Sequence, residues 1–195
     1  IHPAFTVDDE TLLETDLTAC YLLVLVGSGT FSYAVYDPAA KKFLALKSYH
    51  FTPSKVALAD LEMIENVFDT DKLLFTAFKS ILLAFNTGGG VLVPHTCYTP
   101  AMKKDFLHLS APEKVQEAVL SDLLPGLPMV NIYSVDKDLL GFLRKEFSTD
   151  LVIHVDSALL QSYPLDLDFN AASGVAFIEV GQHTFTVTVY AGGKL

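Results

Sequence analysis

Two glycine-containing turns hold the residues of this chain whose types and spacing could bind a ligand. Each turn lies between two segments that are rich in β-branched and aromatic residues. Backbone N–H groups in a turn built from glycine, serine and threonine can form a concavity that binds an anion such as phosphate. The candidate residues are Gly27, Ser28, Gly29 and Thr30 in the first turn, and Glu179, Gly181, Gln182 and Thr184 in the second.

The two turns lie in segments with similar sequences. Residues 25–37 align without gaps with residues 179–191, and six of the 13 positions are identical. About one identity is expected by chance from average residue usage. One interpretation is a duplicated unit whose first hairpin recurs 154 residues later. The other is convergence, because hairpins draw on a narrow set of turn and strand residues.

Three further groups of residues carry weaker signals. Gly88–Gly90 lacks the GxxxxGK[ST] frame of a phosphate loop, so a plain turn is favoured. His95 and Cys97 have no identifiable third group to orient them, which favours a buried cysteine and a surface histidine over a thiol nucleophile. His154 and Asp156 could present two metal ligands, but Asp156 is better explained as a helix cap. We assign no catalytic residue and no metal site, and we expect no cofactor.

Composition excludes several classes of protein. The chain has 195 residues, of which 51% are hydrophobic and 18% charged, so it can bury a large core. A net charge of −10 without a dense basic patch argues against nucleic acid as a partner. Its two cysteines form no CxxC pair, which excludes zinc ribbons and disulfide frameworks. With no long apolar run and an acidic N-terminal segment in place of a signal peptide, we expect a cytoplasmic protein.

Hydrophobic periodicity predicts a mixed α/β chain. The first three strands form an antiparallel meander, and the first of them is a continuous apolar run typical of burial on both faces. The predicted strands cover residues 20–26, 30–36, 43–51, 80–85, 91–93, 114–124 (weakly), 129–135, 151–155, 174–180 and 184–190. The predicted helices begin at Pro53-Ser54, after Asp71, at Thr99-Pro100, after Asp136 and at Asp156. Residues 164–173 are predicted to form a polar loop.

Five short motifs carry a resemblance to a known family. They are residues 36–38 (YDP), 42–49 (KFLALKSY), 92–94 (LVP), 131–135 (NIYSV) and 193–195 (GKL). Through them the chain resembles an uncharacterised bacterial family, domain-of-unknown-function family 3822, which is similar in fold to the actin-like ATPases. The resemblance implies an α/β, actin-like ATPase (ribonuclease H-like) duplicated fold.

The same resemblance implies a division of the chain. Residues 1–18 would be a lead-in segment, residues 19–165 a complete first actin-like half, and residues 166–195 the start of a second half. Members of the family continue past the last motif, so we expect this chain to be truncated.

Active members of the actin, hexokinase and Hsp70 superfamily carry an Asp-x-Gly-Ser/Thr pattern, in which the aspartate holds the metal. The resemblance places Leu25 at that position in the first copy and Glu179 in the second. A buried leucine cannot hold a hydrated Mg²⁺, which requires oxygen ligands. We therefore do not expect ATP as a ligand or a substrate.

These observations lead to one main hypothesis and two alternatives. The main hypothesis is a non-catalytic actin-like scaffold that binds an unidentified protein partner through its acidic surface or an exposed strand edge. The first alternative is a divergent ATPase or sugar-type kinase that uses Glu179. The second is a membrane-associated assembly component, attached through a partner or through a segment that this chain does not contain.

Overall fold

A computed structural model gives the structure of residues 1–51, 57–163, 174–180 and 185–191. Within these ranges the chain forms strands and α-helices joined by short 3₁₀ turns, so the prediction of a mixed α/β fold is confirmed. The strands are β1 (Phe5–Asp8), β2 (Tyr21–Gly27), β3 (Thr30–Asp37), β4 (Lys42–His50), β5 (Ser80–Asn86), β6 (Gly90–Pro94), β7 (Glu117–Leu123), β8 (Met129–Asp136), β9 (Val152–His154), β10 (Val175–Val180) and β11 (Phe185–Tyr190). The α-helices are α1 (Ala57–Thr70), α2 (Lys103–His108), α3 (Lys137–Phe147) and α4 (Val155–Ser162).

The largest sheet has six strands in the order β1-β4-β3-β2-β5-β9. Strands β2, β3 and β4 form the predicted antiparallel meander, whereas β5 is parallel to β2 and β9 is parallel to β5. Helix α1 connects β4 to β5, and α3 precedes β9. The carboxyl ends of β2, β5 and β9 therefore lie at the same edge of the sheet.

The main core lies between one face of this sheet and helices α1 and α3. Along β2, Leu22, Val24 and Val26 point into this core and are at most 2% exposed. Leu25 points to the opposite face and is 37% exposed. The prediction that this strand is buried on both faces is therefore wrong, because the side chains on its second face are partly exposed.

Helix α3 folds as its sequence predicts. Asp136 caps its N-terminus by accepting hydrogen bonds from the first free backbone N–H groups of the helix. The predicted apolar stripe of the helix is buried against the sheet. Its members are Leu139, Leu140, Leu143 and Phe147.

Two smaller sheets complete the described structure. Strands β6, β8 and β7 form an antiparallel sheet, and all three follow β5 and precede α3 in the sequence. The weakly predicted strand at residues 114–124 is confirmed as β7. Among the described strands, β10 and β11 pair only with each other, and Tyr190 packs against Leu160 of α4. None of the described helices is both long enough and apolar enough to cross a membrane.

Local predictions fail where pairing or capping depends on distant residues. The sequence predicts no strand within the lead-in segment, residues 1–18, but β1 lies there and pairs with β4. The predicted helix after Asp71 is only a 3₁₀ turn, Lys72–Phe75. The helix predicted to begin at Thr99-Pro100 does begin there, as a 3₁₀ turn that leads into α2, but the Thr99 side chain makes no capping hydrogen bond. The helix start at Pro53-Ser54 and the polar loop at residues 164–173 lie outside the described residues.

Candidate functional site

The first candidate turn lies where β2 ends beside the end of β5. Gly27 pairs with Thr30 across the two-residue turn Ser28-Gly29, and with Asn86 in the parallel direction. A Cβ atom at position 27 would lie 2.6 Å from the Thr30 Oγ1 atom. Gly29 has a φ of +67°, a conformation that favours glycine. The backbone conformation therefore favours glycine at position 29, whereas a side chain at position 27 would require the Thr30 hydroxyl to move.

A cavity of about 470 Å³ opens beside this turn, and we call it the turn cavity. Its walls come from the end of β2, the residues after β5, the segment that enters β7, and the junction of β8 with α3. Its polar lining includes Ser28, Asp60, Thr87, Lys114, Glu117 and Asp136. In open α/β sheets, ligands bind outside the carboxyl ends of the strands, which makes this cavity the first candidate site.

A carboxylate of the chain itself lies beside the first turn. Asp60, near the start of α1, lines the turn cavity together with Gly27 and Ser28. Burial raises the pKa of Asp60 above its ordinary value, and the backbone N–H of Gly29 opposes that rise only in part. Sequence reasoning missed Asp60. The available signal was an acidic residue early in the helix that follows the meander.

The turn cavity carries more negative than positive charge. Its lining has three carboxylates, Asp60, Glu117 and Asp136, but Lys114 is the one ammonium among the described lining residues. Glu117 lies 2.6 Å from His108 Nε2. Burial raises the pKa of Glu117, but hydrogen bonding and the charge of His108 outweigh it, so the pKa lies below its ordinary value. A phosphate group entering here would meet net repulsion.

His154 fixes the loop that follows β5, next to the turn cavity. Its ring is 1% exposed, and its Nε2 atom donates to the carbonyl oxygen of Thr87 at 3.0 Å. Its Nδ1 atom accepts from the backbone N–H of Asp156 at 3.2 Å. His154 is therefore the cap of α4, and the prediction that Asp156 caps this helix is wrong. Among the described residues, no group of three or more potential metal ligands is assembled.

The other weak candidates lie apart from one another. Gly88 lines the turn cavity, and Gly89 takes a φ of +92° in the turn between β5 and β6. His95 and Cys97 lie in a 3₁₀ turn after β6. Cys97 is exposed, so the prediction of a buried cysteine at this position is wrong.

Glu179 lines a different cavity from the first turn. It lies on β10 and faces a second cavity of about 440 Å³ together with Asp156 of α4, which we call the hairpin cavity. Leu25 lines neither cavity and is partly exposed, contrary to the expected burial, although its alkyl side chain offers no metal ligand. The remaining second-turn candidates, Gly181, Gln182 and Thr184, lie outside the described residues.

The two hairpins share their register. Val26 pairs with Phe31 in the first, and Val180 pairs with Phe185 in the second. Each pair of the second hairpin lies 154 residues after its counterpart in the first, as the sequence alignment requires. The aligned segments therefore adopt the same local structure.

The comparisons with known proteins point to a fold and to no activity. A family model described as "Protein of unknown function (DUF3822)" matches residues 9–195. The curated proteins contain no match. The structure is similar to a crystal structure from Bacteroides thetaiotaomicron VPI-5482, described as a protein with actin-like ATPase fold and unknown function. The TM-score is 0.82 at 15% identity, over 91% of this chain and 68% of that chain, so the likeness shows a shared fold.

Proposed function

This chain belongs to the DUF3822 family of proteins of unknown function, and we propose that it is a non-catalytic actin-like scaffold that binds a protein partner. The observation that carries the proposal is the position of the Asp60 carboxylate, which lines the turn cavity together with Gly27 and Ser28. Its negative charge opposes the binding of a phosphate at this turn. In this proposal the actin-like fold serves as a scaffold, and its surfaces bind the partner.

The electrostatics of the turn cavity support a non-catalytic role. Phosphoryl transfer depends on positioning and on neutralisation of charge by a metal ion. Leu25 stands at the position of the superfamily's metal-linked aspartate, and the cavity is lined by Asp60, Glu117 and Asp136. Asp136 also accepts the hydrogen bonds that cap the N-terminus of α3. These carboxylates repel a nucleotide phosphate.

The outer face of the β10–β11 hairpin supports the binding of a protein partner. Its side chains are apolar and between 50% and 79% exposed. They are Ile178, Val180, Phe185, Val187 and Val189. A contiguous exposed apolar patch of this kind marks an interaction surface. Since the chain carries a net charge of −10, we propose that the partner presents an apolar patch flanked by basic residues.

Photocrosslinking in the native cell tests this surface. A photoreactive benzoylphenylalanine replaces Val187 on the outer face, and the same residue replaces the exposed Glu14 as the control. We expect position 187 alone to crosslink to one other polypeptide with a basic surface, and we expect Ile178→Asp to abolish the product. Crosslinks at position 187 only within the same polypeptide or to a second copy would contradict the proposal.

A divergent ATPase that uses Glu179 is the second candidate. It is favoured by the position of Glu179, whose carboxylate shares a cavity with Asp156. Phosphate release from Mg²⁺-ATP distinguishes the two candidates. The scaffold proposal predicts no release above the rate of the buffer alone. Turnover that Glu179→Gln abolishes would instead establish the ATPase.

A further inference from the structure

The face of the six-stranded sheet that points away from the main core is apolar, and we call it the second face. Residues that pair directly across neighbouring strands point to the same face of a sheet. One row of such residues crosses the sheet from β1 through β4, β3 and β2 to β5. It consists of Val7, Leu46, Ala34, Leu23 and Leu82. This row therefore presents apolar side chains only.

The neighbouring row contains two serine hydroxyls that satisfy each other. The Oγ atoms of Ser32 and Ser48 lie 2.8 Å apart, within hydrogen-bonding distance. Phe5 pairs with Ser48 on one side of them, and Leu25 pairs with Ser32 on the other. The hydroxyls of this row therefore need no charged partner, and the apolar character of the second face continues across it.

The described residues leave part of the second face open. Strands β2, β5 and β9 are parallel, and parallel strands are normally covered by helices on both faces. Helices α1 and α3 pack on the core face. On the second face, the side chains of Val7, Leu46 and Leu25 are 53%, 41% and 37% exposed. This part of the sheet can therefore accept a further helix as its second layer.

A groove on the second face is apolar along its length and acidic at one end. Its volume is about 550 Å³. Val7, Phe43 and Leu46 contribute apolar side chains to it, and Phe43 is 59% exposed. The carboxylates of Asp8 and Asp9 also line it. An occupant of this groove therefore contacts both apolar groups and negative charge.

The acidic end of the groove belongs to a segment without basic residues. Residues 3–40 contain no lysine, arginine or histidine. Asp9 forms an ion pair of 3.0 Å with Lys42, just beyond that segment, whereas Asp8 and Glu10 are exposed. The carboxylates of the segment are Asp8, Asp9, Glu10, Glu14, Asp16 and Asp37. Electrostatic complementarity therefore favours an occupant with lysine or arginine residues beside its apolar side chains.

We propose that the second face binds an amphipathic helix of a partner protein, with its apolar side chains on Val7, Phe43 and Leu46 and its basic side chains beside Asp8. Such a helix supplies the second layer of the sheet and lies in the groove through its apolar stripe. A second copy of this chain is a poor occupant, because it would bring a further net charge of −10 to the acidic end. The inference rests on the proposed scaffold function and adds a contact that the β10–β11 hairpin does not make.

A labelled synthetic peptide of leucine and lysine, with its leucines at helical spacing, tests the proposal by fluorescence anisotropy. The matched peptide has glutamate in place of every lysine. We expect saturable binding of the lysine peptide to the chain, at least about tenfold tighter than that of the glutamate peptide. Equal binding of the two peptides, or no binding of the lysine peptide, would overturn the proposal.

Substitutions on the second face locate the bound peptide. Leu46→Ser should weaken binding about tenfold, because it removes an apolar side chain from the contact. Leu109→Ser makes the same change outside the sheet, at a side chain that is 84% exposed, and should not alter binding. Asp8→Asn should weaken binding and lower its dependence on salt, whereas Asp150→Asn at a remote exposed site should do neither.

NMR spectra of the unsubstituted chain give the same information without a variant. A nitroxide on the lysine peptide should broaden the methyl signals of Val7 and Leu46 and leave those of Val187 sharp. Binding that Val187→Ser abolishes and Leu46→Ser does not would place the peptide on the hairpin, which overturns this inference and leaves the proposed function standing. A concentration-dependent dimer that Leu46→Ser disperses would also overturn it, because a second copy would then cover the face.

Discussion

The two hairpins of this molecule have the same register but opposite surroundings. The β2–β3 hairpin lies inside the six-stranded sheet and points one face into the main core. The β10–β11 hairpin forms its own two-stranded sheet and leaves an apolar face exposed. Similar local sequences therefore set the same strand pairing, while the rest of the chain decides which side chains are buried.

The difference extends to the ligand-binding potential of the two hairpins. Beside the first, the cavity is lined by the carboxylates of Asp60, Glu117 and Asp136 and by the ammonium of Lys114. Beside the second, Asp156 and Glu179 face a cavity with no cationic side chain among its described lining residues. The negative charge beside the second hairpin is therefore not offset by a cation of the described lining.

Substitution of the equivalent residues Phe31 and Phe185 gives the largest expected difference in stability between the two hairpins. Phe31 is fully buried, whereas Phe185, its counterpart 154 residues later, is 71% exposed. Phe31→Ala should lower the free energy of unfolding by about 3–5 kcal/mol, because it removes a buried aromatic ring and leaves a cavity. Phe185→Ala should lower it by less than about 1 kcal/mol. Urea unfolding monitored by circular dichroism measures both, and equal losses would contradict the stated difference in burial.

Asp71 connects strands β3 and β4 to the end of α1 through hydrogen bonds, and its substitution should give the next largest loss of stability. It is 7% exposed and accepts hydrogen bonds from Tyr33, Tyr49 and Lys47. Asp71→Ala should cost about 3 kcal/mol, since it leaves these buried donors unsatisfied. Asp150→Ala, at a side chain that is 96% exposed, should cost less than about 0.5 kcal/mol. If Asp71→Ala lowered the free energy of unfolding by no more than the Asp150→Ala control, the hydrogen bonds to Asp71 would contribute nothing to stability.

The pH dependence of stability tests the same hydrogen bonds to Asp71. Burial raises the pKa of Asp71, but the bonds from Tyr33, Tyr49 and Lys47 outweigh it, so the folded pKa lies below the ordinary value. Its stabilising contribution is therefore complete above the unfolded pKa of about 3.9 and is lost as pH falls through the folded pKa. Thermal melts of the parent and of Asp71→Asn should converge on acidification. A constant difference down to about pH 2 would contradict this assignment.

Substitution of Asp60 should give the smallest change in the free energy of unfolding. Asp60→Ala removes the polar side chain that interacts with the Gly29 N–H and should cost about 1 kcal/mol. Asp60→Asn keeps a polar oxygen at this position. Because the folded pKa of Asp60 is raised, its charge opposes folding above about pH 3.9, so Asp60→Asn should be at least as stable as the parent at neutral pH. Equal losses in the two variants, measured by urea unfolding, would show that the interaction with Gly29 contributes nothing to stability.

Features encoded by neighbouring residues could be predicted from the sequence. The meander follows from alternating apolar residues and turn chemistry, and α3 follows from the Asp136 cap and its apolar stripe. The shared register of the two hairpins follows from the gapless alignment. In each case the signal lies within one or two adjacent elements.

Features that depend on distant residues could not be predicted. The β1 strand is defined by its pairing with β4, and the exposure of Leu25 depends on what packs against its face of the sheet. The contact between Asp60 and Gly29 joins α1 to the turn before β3, so no local pattern encodes it. The cap of α4 was assigned to the wrong residue because histidine, unlike aspartate, is an uncommon helix cap.

Calorimetric titration of the chain with ATP, with and without Mg²⁺, tests the central claim most directly. We predict no saturable heat up to about 1 mM ATP, because the carboxylates of the turn cavity, including Asp60, repel phosphate. Micromolar binding that requires Mg²⁺ would contradict the account. It would show that the first turn has retained the ligand that we infer it has lost.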